Sequence, residues 1–294
     1  MLLRDWWTFI RGVNLLIIAL VMYLVQYQLV LYGIPTVPKD EADLILFWLI
    51  LSTIFISIGG NVINDYFDQS IDQINKPEKT FVGKKITAKN SLLFYIGCNI
   101  SALISLLVLV QNTGLDLWLL IFPITGISLY FYAAKLKKSL LIGNLLIAIL
   151  SGLVPLLPYL SLEHLVPVSQ STSSVIVLAL IAFWTTLIRE IIKDKLDIEG
   201  DTLAGANTLA IQLDSKKLIR LLCVFIAAVP LLSFWFYSLI ELKPIPMVLA
   251  ETAIGVCSVV LLRSIVIEKP NWKAASQWSK ILMLSGLLGL LLRF

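Results

Sequence analysis

Two short polar segments of the sequence carry acidic side chains, spaced so that a helix would place them on one face. In the first segment Asn64, Asp68 and Asp72 recur at every fourth residue, so a helix would place all three on one side. Asp65 would lie about 100° round the helix from Asn64, at the margin of that face. Carboxylate and amide oxygens without histidine or cysteine nearby are typical ligands of a hard cation such as Mg²⁺.

The second segment carries a similar stripe, made of Asp194, Asp197 and Asp201. Each segment directly follows an apolar run, where like charges on one face destabilise a helix and ionisable groups are costly. A solvated helix end is the alternative interpretation of either stripe alone, but the presence of two favours function. Since Mg²⁺ completes its coordination with water and phosphate oxygens, the two stripes predict a site that clamps a diphosphate.

Basic residues interleaved with these stripes would neutralise the phosphates. Arg189 and Lys193 are the best candidates because they are embedded in the second segment. The remaining interleaved bases, which membrane topology explains equally well, are Lys76, Lys79, Lys84 and Lys195.

The composition indicates a membrane protein. Of the 294 residues 59% are hydrophobic and only 14% charged, with a mean hydropathy of +0.91, which excludes a soluble domain and a disordered chain. A net charge of +4 is too small to indicate nucleic-acid binding, and no feature indicates a protein partner. One histidine, His164, and three cysteines within apolar runs leave carboxylates and bases other than imidazole to carry the chemistry.

Nine apolar runs are long enough to be transmembrane helices. They cover residues 13–32, 44–63, 91–110, 115–134, 140–162, 173–188, 221–240, 245–266 and a final run ending at 294. The sequence therefore predicts an all-α bundle of nine transmembrane helices in a single domain, residues 1–294.

The charges orient this bundle. If the helices alternate in direction, all but three of the 23 Lys and Arg residues lie on one side, the exceptions being Lys39, Lys243 and Arg293. An excess of Lys and Arg marks the cytoplasmic side. We therefore expect a cytoplasmic N-terminus and an outer C-terminus in the cell (inner) membrane. The motif segments 65–90 and 190–217, and with them the active site, would face the cytoplasm.

The acidic stripes resemble those of a known family. The stretch Asn64-Asp65-x-x-Asp68-x-x-x-Asp72 resembles the NDxxDxxxD signature of the UbiA superfamily of intramembrane prenyltransferases, and Asp197-x-x-x-Asp201 resembles its second aspartate motif. The resemblance implies that Mg²⁺, held by the four aspartates Asp68, Asp72, Asp197 and Asp201 with Asn64, activates a prenyl diphosphate. An allylic carbocation would then be captured by the acceptor in a water-poor pocket.

The resemblance also implies substrate contacts elsewhere. They would come from Arg11 before the first span, from Lys79 after the first motif, and from Tyr132 with either Lys135 or Lys137. Lys79 stands where arginine is common in the family. Three aromatic side chains could shield the cation, although packing is the alternative role for each: Tyr66, Tyr132 and Trp184.

The second motif, from Arg189 to Asp201, looks most like the branch that prenylates geranylgeranylglyceryl phosphate in ether lipid synthesis. An aromatic acceptor of quinone synthesis is the alternative. A divalent-cation transporter is a remote non-enzyme alternative, since the spans are nearly free of charge. A phosphatidyl-alcohol transferase would need a D-G-x-x-A-R motif, which the sequence lacks.

Overall fold

Helices account for nearly all of the residues that the computed structural model describes, which are 3–31, 38–75, 80–162 and 172–293. The predicted all-α class is confirmed, and within these ranges the β pairing is one isolated bridge, Val82 to Ile86. The helices are α1 (Leu3–Phe9), α2 (Gly12–Leu24), α3 (Lys39–Phe67), α4 (Gln69–Asn75), α5 (Ala88–Thr113), α6 (Trp118–Ala134), α7 (Ile142–Ser161), α8 (Thr172–Leu196), α9 (Ile198–Leu203), α10 (Leu209–Gln212), α11 (Ser215–Leu239), α12 (Pro244–Val266), α13 (Trp272–Ser285) and α14 (Leu288–Leu291).

Seven helical segments among the described residues are long and apolar enough to cross a membrane. They are α2 with the π-helical turn Val25–Val30 that continues it, α3, α5, α7, α8, α11 and α12. Each of the nine predicted runs overlaps a helix. The fourth and ninth, however, correspond to shorter helices, namely the 17-residue α6 and the pair α13 and α14.

Two membrane helices extend past their apolar runs into the acidic segments. The run 44–63 becomes α3, which continues to Phe67, and the run 173–188 becomes α8, which continues to Leu196. The added turns carry the first residue of each acidic stripe, Asn64 and Asp194. In α8 they persist as helix because neighbouring charged side chains pair with one another, as described below.

The most enclosed element is α8. About two thirds (67%) of its most apolar 18 residues are buried, against 28–44% in the other six candidate spans. It packs against α7, α11 and α13, while α3 packs against α5 and α6. Large apolar side chains such as Leu120, Leu231 and Val248 stay exposed on the outer helices, as expected of a surface that faces lipid.

A small second core fixes the N-terminal helix beside the first acidic segment. Phe9 of α1 is fully buried, and its ring centroid lies 5.6 Å from that of Phe81, in the segment that precedes α5. Lys85 of the same segment donates to Asp5 of α1 at 2.7 Å. These contacts hold α1 and residues 80–86 together next to the end of α3.

Candidate active site

The two acidic segments share one local architecture. Each begins as the last turn of a long membrane helix, leaves helical geometry at its middle aspartate, and continues as a short helix. The middle aspartates have nearly the same backbone angles, φ −89° and ψ 4° at Asp68, φ −97° and ψ 10° at Asp197. This sparsely populated region of φ/ψ space is one in which many active-site residues lie.

The break does not disturb the predicted stripes. The backbone N–H of Asp68 still donates to Asn64 O at 2.9 Å, and that of Asp72 to Asp68 O at 2.8 Å. In the second segment Asp201 N–H donates to Asp197 O at 3.0 Å. The i to i+4 register therefore continues through both breaks, and the short helices α4 and α9 carry the last aspartate of each stripe.

Asp68 lies at the centre of the first half of the site. Its carboxylate accepts a hydrogen bond from the Asn64 amide at 2.7 Å and forms an ion pair with the ammonium of Lys137. Both side chains of that ion pair are largely buried, at 14% and 12% exposed. The structure therefore brings Lys137, of the two lysines that the sequence left open, to the acidic residues, whereas Lys135 is exposed at the surface.

A glycine allows the loop of Lys137 to approach α7. A Cβ atom on Gly143 would lie 2.7 Å from Leu136 O and 2.9 Å from Lys137 Cα, which is closer than real contacts allow. Hence Gly143 lets the 3-10 turn Leu136–Lys138 rest directly on the first turn of α7, with Lys137 turned towards Asp68.

Arg11 joins the N-terminal helices to the same segment. Its guanidinium donates to Asp65 at 2.8 Å and also to the side-chain oxygen of Asn61. Arg11 has a left-handed backbone, φ 58° and ψ 49°, which is costly for a residue with a side chain. The structure thus uses Arg11, predicted to bind substrate, to hold Asp65 at the edge of the first stripe.

The second half of the site contains a buried carboxylate that the sequence analysis did not select. Glu190 is 4% exposed and accepts hydrogen bonds from Arg189 at 2.9 Å and from Lys193 at 2.8 and 3.0 Å. The two predicted phosphate-binding cations are therefore held by one anion on the same helix. The signal in the sequence was the position of Glu190 in the last, charged turns of an otherwise apolar helix.

Asp194 and Tyr132 are two further predicted site residues near these carboxylates. Asp194 accepts a hydrogen bond from the buried Asn144 of α7 at 2.7 Å. Tyr132 of α6 is close enough to Glu190, Asp194 and Asp68 to interact electrostatically with each. Tyr132 is therefore near carboxylates of both acidic segments.

The other two aromatic candidates have packing contacts. The indole N–H of Trp184 donates to Phe225 O at 2.9 Å, and its ring packs on that of Phe225, which places it at the interface of α8 and α11. Tyr66 packs edge-on against Phe67. Three residues discussed from the sequence, Lys76, Lys79 and His164, lie outside the described residues.

The donor set fits Mg²⁺ bound together with a substrate. Within the described ranges no three acidic, histidine or cysteine side chains lie close enough to hold a metal ion by themselves. The available donors are carboxylates and amides, and Mg²⁺ commonly binds through one or two carboxylates plus substrate phosphates rather than in an all-protein cage. The two stripes, with Lys137 forming an ion pair with Asp68, suit that mode of binding.

Comparison with known proteins agrees with this arrangement. Residues 15–285 match the model of the UbiA prenyltransferase family. The chain is 33% identical over 251 residues to digeranylgeranylglyceryl phosphate synthase of Methanobrevibacter smithii, covering 82% of this chain and 83% of that one. It is also 30% identical to the synthase of the same name from Methanopyrus kandleri, covering 80% and 82%.

Solved structures show the same fold. One from work on digeranylgeranylglyceryl phosphate synthase in membranes has a TM-score of 0.65 at 25% identity and covers 98% of both chains. A UbiA homologue from Archaeoglobus fulgidus, bound to GPP and Mg²⁺, has a TM-score of 0.61 at 16% identity over 98% and 99%. The protein is therefore an integral membrane enzyme of the UbiA prenyltransferase family, which transfers prenyl groups.

Proposed function

We propose that this enzyme transfers a geranylgeranyl group from its diphosphate to geranylgeranylglyceryl phosphate, a step of ether lipid synthesis. The observation that carries the proposal is the pair of acidic helix breaks, at Asp68 and Asp197. Lys137 pairs with Asp68, and Arg189 and Lys193 pair with Glu190, in the last turns of the helix that ends before Asp197. This arrangement suits a diphosphate held at the mouth of an apolar bundle. The relatives named for this reaction support the choice of acceptor.

The residues proposed to hold Mg²⁺ come from both stripes. They are Asn64, Asp65, Asp68, Asp72, Asp194, Asp197 and Asp201, with Asp65 and Asp194 anchored by Arg11 and Asn144. Mg²⁺ held by these residues would neutralise the charge that develops on the departing diphosphate. The relatives of this fold solved with Mg²⁺ and prenyl diphosphates support this assignment.

The basic residues are proposed to hold the diphosphate while its bond to the prenyl carbon breaks. Lys137 approaches from the side of Asp68, and Arg189 with Lys193 from the side of Glu190. Lys79, which follows the first motif, is proposed for the same role from its place in the sequence alone. Charge-assisted hydrogen bonds of this kind are about twice as strong as neutral ones, so they favour the charged leaving group.

The prenyl cation would form against Tyr132, whose ring can stabilise positive charge through its face. Apolar walls from the bundle exclude water, which would otherwise capture the cation. The oxygen of the acceptor hydroxyl would then bond to the cation and lose its proton, so that the products are the ether lipid, diphosphate and a proton.

We further propose nine spans with the N-terminus and the active site on the cytoplasmic side of the cell (inner) membrane. The distribution of Lys and Arg supports this orientation. The two shorter helical segments, α6 and the pair α13 and α14, would complete the seven longer spans.

The acceptor is tested by supplying three compounds in parallel with geranylgeranyl diphosphate and Mg²⁺. They are geranylgeranylglyceryl phosphate, the same lipid without its phosphate, and an aromatic hydroxy acid. We expect kcat/KM to be highest for the phosphorylated lipid and at least about tenfold lower without the phosphate, since that loss removes a charge-assisted contact. Preference for the aromatic acid would instead assign the enzyme to quinone synthesis. The proposed metal site would be unchanged in that case, because either acceptor reacts with the same prenyl diphosphate.

Glu190 is expected to be necessary for phosphate binding. Glu190→Gln keeps the shape of the side chain but removes the charge that orders Arg189 and Lys193, so KM for the prenyl diphosphate should rise about tenfold or more. Glu199→Gln, an exposed acid of α9, is the matched control and should keep the wild-type KM. If Glu190→Gln and Glu199→Gln both had the wild-type KM for the prenyl diphosphate, Glu190 would have no role in binding it.

A further inference from the structure

The last residue of α4 contacts the second acidic segment with both ends of its side-chain amide. Asn75 Nδ2 donates to Asp197 O at 3.1 Å, and Asn75 Oδ1 accepts from the backbone N–H of Gly200 at 3.0 Å. The partners lie 122 and 125 residues further along the chain. One side chain therefore joins the end of the first acidic segment to the start of α9.

The contact acts as a helix cap supplied from another part of the chain. The first N–H groups of a helix lack partners within that helix, and a residue at the N-cap commonly accepts from one of them through its own side chain. Asp197 precedes α9, which begins at Ile198, and Gly200 is its third residue. Asp197 is the N-cap residue of α9, but its side chain does not cap the helix. The amide oxygen of Asn75 accepts from Gly200 N–H in its place.

Gly200 provides the space that this contact needs. A Cβ atom at Gly200 would lie 2.5 Å from Asn75 Nδ2 and 2.7 Å from Asn75 Cγ and Oδ1. Gly200 is part of α9 and has ordinary helical geometry, so its backbone conformation does not require glycine. The close approach of the Asn75 amide is the reason that a side chain is excluded here.

We infer that Asn75 and Gly200 are positioning residues that set the separation of the two acidic segments. Asn75 lies three residues after Asp72 on α4, and Gly200 directly precedes Asp201 on α9. The contact is therefore adjacent to the last aspartate of each stripe and includes the backbone of Asp197. This inference rests on the proposed function, because the separation matters only if both stripes bind one metal–diphosphate group.

The first test measures metal binding without turnover. Mn²⁺ is titrated into purified protein with inorganic diphosphate present, and unbound Mn²⁺ is followed by electron paramagnetic resonance. Asn75→Ala should weaken Mn²⁺ binding about tenfold or more, the usual effect of losing a residue that orients metal ligands. The Mg²⁺ concentration for half-maximal prenyl transfer should rise by a similar factor. Gln73→Ala, which removes an exposed amide from the same helix, should bind Mn²⁺ as the wild type does.

The second test measures the contact itself, in protein without metal or substrate. Asn75→Ala and Gly200→Ala should each lower Tm by about 2–4 °C, because the first change removes the amide and the second pushes it away from α9. The double variant should have the Tm of Asn75→Ala alone, since removal of the amide makes room for the new Cβ. Additive losses would overturn the inference. Gly255→Ala, where nothing lies within 4 Å of the added Cβ, is the control for a glycine replacement within a helix.

The two tests separate failure of this inference from failure of the proposed function. If the wild type transfers a prenyl group and Asn75→Ala binds Mn²⁺ with unchanged affinity, the positioning role is wrong while the proposed function stands. If the wild type neither binds Mn²⁺ with diphosphate nor transfers a prenyl group, the proposed function itself is wrong.

Discussion

Asp197→Ala and Asp68→Ala are each expected to lower kcat by about a thousandfold or more, the largest effect that we predict. Each aspartate is the residue at which a membrane helix breaks, and the structure places the two at equivalent points of the two acidic segments. Loss of either carboxylate would remove a proposed metal ligand and leave the departing diphosphate poorly neutralised. Since about 1.4 kcal/mol corresponds to a tenfold change in rate, a loss of several kcal/mol of charge stabilisation accounts for this magnitude.

The measurement is single-turnover prenyl transfer at saturating substrate, with the variants purified from the membrane fraction. Because both aspartates lie beyond the apolar runs, the variants should still insert and remain monodisperse in detergent. Glu199→Gln again serves as the control for loss of a nearby negative charge. If Asp68→Ala and Asp197→Ala kept full activity in folded protein, the metal-site hypothesis would be wrong.

Lys137→Ala is expected to lower kcat/KM about a hundredfold, the second largest effect. The Lys137 side chain is largely buried and paired with Asp68, which places its ammonium beside the acidic stripe that we propose to bind the metal and diphosphate. Removal of Lys137 takes the paired cation away from Asp68. The departing diphosphate would then have one positive charge fewer beside it. The measurement is kcat/KM for the prenyl diphosphate at saturating Mg²⁺.

Lys135→Ala is the discriminating comparison, because the sequence alone left both lysines open. Lys135 is exposed, so its replacement should change kcat/KM by less than about threefold, as for most surface substitutions. Gly143→Ala tests the same geometry differently, since the added Cβ would push the Lys137 backbone away from α7. A larger loss in Lys135→Ala than in Lys137→Ala would contradict the placement of the loop.

The spacing of the acidic residues predicted two stripes, and the structure preserves their register. The stripes depend on i, i+3 and i+4 periodicity, which is a local property that survives the helix breaks at Asp68 and Asp197. The apolar runs predicted all the long helices but not their ends. Thr87, for example, accepts a hydrogen bond from Asn90 N–H and so begins α5 three residues before the run predicted from 91, because capping rather than hydropathy determines that boundary.

Contacts between distant parts of the chain were beyond this kind of prediction. No local pattern shows that Asn75 meets Gly200, or that Lys137 rather than Lys135 reaches Asp68, because both depend on how the helices pack. The role of Glu190 could not be predicted either, since a charge at the end of a membrane helix is also explained by exposure to solvent. What such a residue does becomes clear only when its burial and its partners are known.

The most direct test of the central claim is prenyl transfer by the purified wild-type enzyme with radiolabelled geranylgeranyl diphosphate and geranylgeranylglyceryl phosphate, in Mg²⁺ and in excess chelator. We predict equal amounts of a labelled ether lipid and released diphosphate in Mg²⁺, and neither product in chelator. Transfer that continues undiminished in chelator would contradict a metal-dependent site built from the two acidic segments. Labelled aromatic product with no ether lipid, when both acceptors are supplied, would contradict the proposed acceptor.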